Sequence, residues 1–413
     1  MDTGVGSRPL EAIVDIGAGG PSQIAVPIST SFAWTVRRWS LRHLWYRGRL
    51  RLRRMKRREN GAAAAQRYEK DPAVQFSDGV SVVFADLSGD NGLSRAAIYD
   101  LVEIRKRHAH VVTIDIRDAI SGRKLDSPIY TDLVSNAYFL CQPDMYERVL
   151  PLIAPEAMAG AYRVGRWVWE TPKFPRAWNF ASSLIHEVWA ASEFSAEVFR
   201  RGVGIPVRVV MHAVQPPPPS SVNIRAQWGI DQKTFLGLAI MDIRSCPERK
   251  NPWGHVLAWK AAFGNNRDAL LILKVRTSKR TRLVRQELRE LIGEADNIRL
   301  MDTQLSEAEL SSLQRSCDVF LSLHRSEGYG LNIHEALLCG KPVVATHWSA
   351  NVEYGPQYPG YHAVRHQPIK YRDWTGHYED KEFFWANPDI AHAADLLSDI
   401  YVRTQEAKLT NEF

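Results

Sequence analysis

From Val80 onward the chain alternates between short apolar runs and stretches of helical period. VSVVFAD (80–86) and HVVTIDI (110–116) are nearly continuous and rich in β-branched residues, which predicts strands buried on both faces. GLSRAAIYDLVEIRKR (92–107) between them predicts a helix. YRVGRWVWE (162–170), EVWAAS (187–192) and VRVVMHAV (207–214) predict further strands, with a helix over 192–202 that takes Ser192 as N-cap and Gly202 as stop. The prolines of QPPPPSS (215–221) then interrupt the alternation, because they continue neither a helix nor a central strand.

Beyond them the alternation restarts. Strands are predicted over 234–240, 269–275, 317–323 and 342–346. Helices are predicted over 251–263, with Pro252 in its first turn, over 306–316, with Ser306 and Glu309 in capping-box spacing, and over 387–407. Short buried strands separated by helices predict an α/β protein with two Rossmann-like, doubly wound parallel-sheet domains facing a cleft. The expected divisions are a basic N-terminal extension (1–75), a first domain (76–215), a Pro-rich linker (216–232) and a second domain (233–413).

Charge changes the picture of the extension. Arg37 to Arg58 holds ten arginines, one lysine and no acid, so removing its eleven charges from the net +7 leaves −4 on the rest. Tryptophans and leucines between the arginines suit residues 34–58 to an anionic membrane surface, with aromatics in the interface. Packing against the body of the protein is the second expectation, and nucleic acid is the least expected partner. No apolar run reaches about 18 residues and the N-terminus lacks a secretory pattern, so a cytoplasmic protein, peripheral on the inner face of the membrane, is expected. Cys141, Cys246, Cys317 and Cys339 are scattered, which predicts reduced thiols and no metal framework.

The chemistry concentrates in HRSEGYGLNIHEALLCGKPVVAT (324–346), where Glu327 and Glu335 flank a glycine-containing turn into a helix. In open α/β sheets ligands sit beyond the carboxyl ends of the strands, and a helix beginning near Leu331 offers N–H groups and a positive dipole to phosphate. Glu335, one turn in, suits a ribose diol. Glu327, at the strand end, suits a sugar hydroxyl on the other side of a diphosphate. Two acids repel a diphosphate, so cations are needed, and Arg244 and Lys250 in MDIRSCPERKNP fall on the same edge.

In this context the residues resemble the retaining glycosyltransferases of family 4, whose E-x7-E motif corresponds to Glu327 through Glu335, and whose fold is GT-B. The similarity runs over roughly 80–402 and includes RKNP (249–252) and RWVWETPKFPRAWNFASSLIHEVWAASEFSAEVFRRG (166–202). The resemblance implies transfer, with retention and without a divalent metal, from a nucleotide sugar, UDP- or GDP-linked, to a glycan or lipid-linked acceptor. It implies no resident cofactor. It makes Glu335 the ribose partner, Glu327 and the amides of Gly328, Tyr329, Gly330 and Leu331 the sugar site, and Lys250 and Arg244 the diphosphate site. Asn91 and Gly92, in the Gly89–Gly92 turn, fall where the family's first loop approaches phosphate and acceptor. Asn332 stands where many members have proline, and no first-domain histidine behind the sugar is identified. Glu170 is the nearest candidate there, and Lys274 is a further candidate for phosphate or base. His186, His324 and His334 are further catalytic candidates, while Trp167, Trp169, Trp178 and Trp189 read as packing. A GT-B sugar epimerase or phosphorylase, or a protein binding nucleic acid or membrane through the arm, are the alternatives.

Overall fold

The computed structural model describes residues 52, 59–61, 63, 66–122, 128–372, 378 and 382–410. The basic arm therefore lies outside the described residues, save Leu52. Two six-stranded sheets organise the rest, and every neighbouring pair of strands in them is parallel. The first contains β1 (Val80–Ala85), β2 (His110–Asp115), β3 (Asn136–Leu140), β4 (Tyr162–Trp167), β5 (Glu187–Ala190) and β6 (Val207–Val209), in the order β2-β1-β3-β4-β5-β6. The second contains β7 (Phe235–Asp242), β8 (Ala269–Arg276), β9 (Ile298–Met301), β10 (Val319–Ser322), β11 (Val343–Thr346) and β12 (Tyr361–Val364), in the order β12-β11-β10-β7-β8-β9. Strand order reverses between β1 and β3 in the first sheet and between β7 and β10 in the second. Those reversals open the crevices in which doubly wound sheets bind ligands.

The helices that position the site are α1 (Gly92–Arg107), α2 (Glu193–Arg200), α3 (Pro252–Phe263), α4 (Glu307–Ser316), α5 (Leu331–Leu338) and α6 (Ile390–Thr410). Their ends follow the local chemistry. Asn91 caps α1 by accepting from Leu93 N and Ser94 N, Ser192 caps α2 by accepting from Ser195 N, and Ser306 with Glu309 forms a capping box on α4. The closing helix starts later than the apolar period predicts. Asn387 and Pro388 instead end a strand, β14 (Glu382–Pro388), antiparallel to β13 (His366–Arg372). Asp389 then accepts from His392 N at 3.0 Å and begins α6. The strand predicted over 207–214 is ladder-paired only through Val209, and His212 beyond it turns inward onto Asp100 at 2.8 Å.

The cores settle two further points. Trp167, Trp169 and Trp178 share one buried cluster with Phe383 and Trp385 of β14, so the late hairpin packs into the core under the first sheet. Tyr68 belongs to the same cluster and donates to Ile153 O at 3.0 Å, so the chain joins the body before residue 75. No helix among the described residues is long and apolar enough to cross a membrane.

The two halves touch closely at the glycine turn. Ser192 Oγ donates to Gly328 O at 2.9 Å, and Glu353 accepts from Glu193 N and Phe194 N at 2.7 and 2.8 Å, placing a carboxylate on the positive end of α2. A Cβ on Gly328 would lie 2.2 Å from Val168 Cγ1 and 3.2 Å from Trp169 O. Gly328→Ala is therefore expected to destabilise the protein by ~1–3 kcal/mol through overpacking, and Val168→Ala in the same chain to recover part of that loss. Urea denaturation of the two single variants and the double variant checks this; strictly additive losses would remove the contact as the cause.

Candidate functional site

The site is assembled from two loops of the second half. One leaves β7 and carries Arg244, Arg249 and Lys250; the other leaves β10 and carries Glu327 and the turn into α5. Asn251, held at φ 50°, ends the short helix Pro247–Lys250 and caps α3, and its Nδ2 donates to Leu323 O at 2.8 Å. Arg325 N donates to Arg249 O at 2.7 Å and Arg325 Nη1 to Glu248 O at 2.7 Å. These bonds fix the basic loop to the acidic one before any ligand is considered.

Glu327 receives Lys250 Nζ on Oε1 at 2.5 Å and Arg249 Nη1 on Oε2 at 3.0 Å, while its own N–H donates to Ser349 Oγ at 2.8 Å. Burial pushes its carboxyl up, but Lys250, Arg249 and His324 outweigh burial and hold it down at about 2. Arg249 also lies 3.5 Å from Glu170 Oε1, so Glu170 belongs to the same charged cluster. Arg249 is a member of the site beyond those expected from the sequence, where the RK pair at 249–250 is its signal.

The mouth of α5 begins at Gly330, whose φ of 88° is a left-handed conformation suited to glycine. Tyr354 Oη sits 3.0 Å from where a Cβ would stand, so bulk is excluded as well. Among the described residues no hydrogen bond takes the backbone N–H of Gly328, Tyr329, Gly330 or Leu331, and no side chain caps the helix. The Tyr329 ring is buried against His212, and its hydroxyl lies 2.8 Å from His334 Nδ1.

Glu335 is fully buried, and both of its oxygens are engaged. Arg95 Nε stands 2.9 Å from Oε1, Tyr99 Oη donates to the same oxygen at 2.9 Å, and Gln314 Nε2 donates to Oε2 at 2.9 Å. Burial pushes this carboxyl up despite Arg95. Arg95 and Tyr99 come from α1 in the other half. Their spacing of four places them on one helix face, which was the signal available for them in the sequence.

The remaining candidates separate. Arg244 pairs with Asp242, Nε to Oδ1 at 2.9 Å and Nη2 to Oδ2 at 2.5 Å, rather than with either glutamate. It faces a cavity of about 710 Å³ at the carboxyl ends of β1 and β3 on one side, with Asp86, Asn91 and Leu140 in its lining, and of β7 and β8 on the other, with Asp242, Ser245 and Ser278. Gly92 opens α1, and Asp90 beside it is clamped by Arg276 and accepts from Gln304 Nε2 at 3.2 Å. Lys274 reaches Thr303 O at 3.4 Å, and burial, then Arg276, lowers its pKa. His186 Nδ1 accepts from Arg163 N, His324 Nδ1 lies 3.1 Å from Ser322 Oγ, and His334 lies between Tyr329 and Tyr358. Trp167, Trp169, Trp178 and Trp189 are buried.

Residues 267–363, which span β8 through most of β12, match the family model described as Glycosyl transferases group 1. No curated protein sequence matches the chain. Among solved structures, a glycosyltransferase from Rickettsia africae ESF-5 is similar with a TM-score of 0.52 at 13% identity, covering 80% of this chain and 92% of that one. The E. coli trehalose-6-phosphate structure bound with UDP-2-fluoro glucose is similar with a TM-score of 0.50 at 10% identity, covering 81% and 98%. The fold is GT-B, and the family match on the second half supports a glycosyltransferase.

The charged cluster has a pH signature. A carboxyl lowered from 4.5 to about 2 adds stability that is complete above its unfolded value and disappears as pH falls through the folded one. Glu327→Gln lacks this term, so its stability should fall less steeply than that of the natural chain between pH 4.5 and 2, by up to about 3 kcal/mol across the window. Urea unfolding at several pH values measures the two slopes; parallel slopes would contradict the assignment.

Proposed function

We propose that the chain transfers a sugar from a nucleotide-sugar donor to a hydroxyl-bearing acceptor, a glycan or lipid-linked saccharide. The observation that carries this reading is the set of unengaged N–H groups at the mouth of α5, beside the Lys250–Glu327–Arg249 cluster and at the β7–β10 strand reversal. In this reading the donor diphosphate lies against the Gly328–Leu331 amides. Lys250 meets its charge from one side and Arg244 from the cavity. As the bond from sugar to phosphate breaks, negative charge grows on the diphosphate, and preoriented amides and cations stabilise it without reorganising. Glu327 fixes the position of Lys250 and takes a hydroxyl of the donor sugar.

Glu335 takes the ribose diol by exchange. Its carboxylate gives up Arg95 and Tyr99 and accepts the two ribose hydroxyls, which replaces one set of bonds to a buried acid by another. The exchange couples donor binding to a movement of α1 relative to α5. Contact between the two halves over the donor excludes water and favours transfer over hydrolysis. Retention of configuration follows from the resemblance of the Glu327–Glu335 segment to family 4. A uridine donor is favoured by the UDP-2-fluoro glucose held in the E. coli protein of like fold.

A thermal-shift screen of UDP-, GDP- and ADP-sugars tests the reading. One class is expected to stabilise the chain, by about 2.7 kcal/mol at a hundredfold excess over Kd. A flat response to all of them would contradict it. Glu335→Ala is expected to weaken nucleotide affinity in calorimetry, and an unchanged Kd would confine Glu335 to its contact with Arg95. Lys250→Ala is expected to lower kcat more than donor affinity, since it acts on charge that develops during bond breaking. Equal losses in the two would make it a binding group only.

A further inference from the structure

The cavity between the carboxyl ends of β1 and β3 and those of β7 and β8 has a chemistry that specifies more than a hydroxyl. On the first-half side its wall is largely apolar, with Leu93, Ile120, Leu140 and Met145 among its residues. Three cations, Arg117, Arg244 and Lys279, share the lining with only two carboxylates, Asp86 and Asp242. Asp242 is satisfied by Arg244, and Asp86 Oδ2 by Arg117 Nη1 at 3.0 Å. Lys279, exposed at the rim, has no ion pair or hydrogen bond among the described residues. One positive charge therefore remains over for a ligand.

A second observation is independent of that balance. Asp86 Oδ1 is buried and has no hydrogen-bond partner, at the carboxyl end of β1 where the cavity begins. A buried carboxylate oxygen without a donor costs free energy, so such an atom marks where a donor from outside the chain belongs. A hydroxyl is the donor that fits beside the Arg117 pair, because a cation there is already supplied. A volume of about 710 Å³ lies within the range of sites that enclose drug-sized molecules.

We propose that this cavity is the acceptor pocket, that it selects an acceptor combining an apolar body with a phosphate or carboxylate, and that Asp86 Oδ1 receives the hydroxyl to be glycosylated. The proposal rests on the sugar-transfer reading above and adds the acceptor's chemical class to it. The apolar body lies against Leu93, Ile120 and Met145, and its removal from water supplies most of the attraction. The anion meets Lys279 at the rim and sets the orientation. The hydroxyl on Asp86 then faces Arg244 across the cavity, on the side where the donor diphosphate is held.

The experiment uses the full chain and three probes: octyl phosphate, octyl glucoside and inorganic phosphate, each titrated by calorimetry in the presence of saturating UDP. Octyl phosphate is expected to bind at least about tenfold more tightly than either of the others. Lys279→Glu should weaken octyl phosphate at least about fivefold and leave octyl glucoside within about twofold. Leu93→Asp should weaken both octyl probes. Leu93 and Lys279 are both exposed enough for the variants to fold, and an unchanged thermal shift with UDP-sugar would show that they do. Octyl phosphate that binds no better than octyl glucoside would overturn the anionic element, and binding no better than phosphate would overturn the apolar one. Affinity for octyl phosphate unchanged in both variants would place it elsewhere, on the basic arm for instance, and overturn the pocket. Selective octyl phosphate binding by a chain that shows no shift with any nucleotide sugar would instead overturn sugar transfer, and the acceptor role with it.

Discussion

Glu327 is a carboxylate kept ionised where burial opposes ionisation, and Arg249 and Lys250 are what keep it so. The three residues lie in two loops that meet only because β7 and β10 are neighbours in the sheet. Once paired, they fix the height of Lys250 above the sheet and the entry of the chain into α5. The left-handed Gly330 and the unengaged amides follow from that entry. Removing Glu327 would take from the buried Arg249 guanidinium its nearest carboxylate, the kind of change that costs several kcal/mol in comparable buried pairs. The site is thus part of what holds the loops together, and its chemistry and its local stability are one arrangement.

The same economy of charge extends across the two halves. Glu335 with Arg95 and Tyr99, Glu353 with the start of α2, and Asp90 with Arg276 each tie an element of the first sheet to one of the second. Each tie engages a residue that stands beside the cleft. A ligand entering that cleft competes with these contacts or replaces them, so affinity for a donor and the relative position of the halves are linked quantities.

Much of this was legible in the sequence, for reasons that can be named. Continuous apolar runs marked β1, β7, β8 and β11, and the Ser306–Glu309 box marked the start of α4. The turn from β10 into α5 was legible because strand, glycines and helix follow one another in a single stretch. What escaped notice was short or distant. NAYFL (β3) and IRLM (β9) are too brief to carry a period, and Asn136 and Arg299 break their apolar character. The hairpin of β13 and β14 falls where the sequence pattern predicts no element, and only its last two residues, Asn387 and Pro388, lie within the helix expected over 387–407. Tyr99 and Glu335 are 236 residues apart, and no local pattern announces such a partner. Asp86 looked like the last residue of a strand; only the cavity around it shows an oxygen without a donor.

The central claim is that a diphosphate sits on the amides at the mouth of α5. Hydrogen exchange of the Gly328–Leu331 amides, compared with and without saturating UDP and referenced to the middle of α6, measures that contact directly. Slowing of exchange at those amides with no change in α6 is the predicted result. Unchanged exchange at Gly328–Leu331 while UDP is bound would put the nucleotide elsewhere and contradict the account.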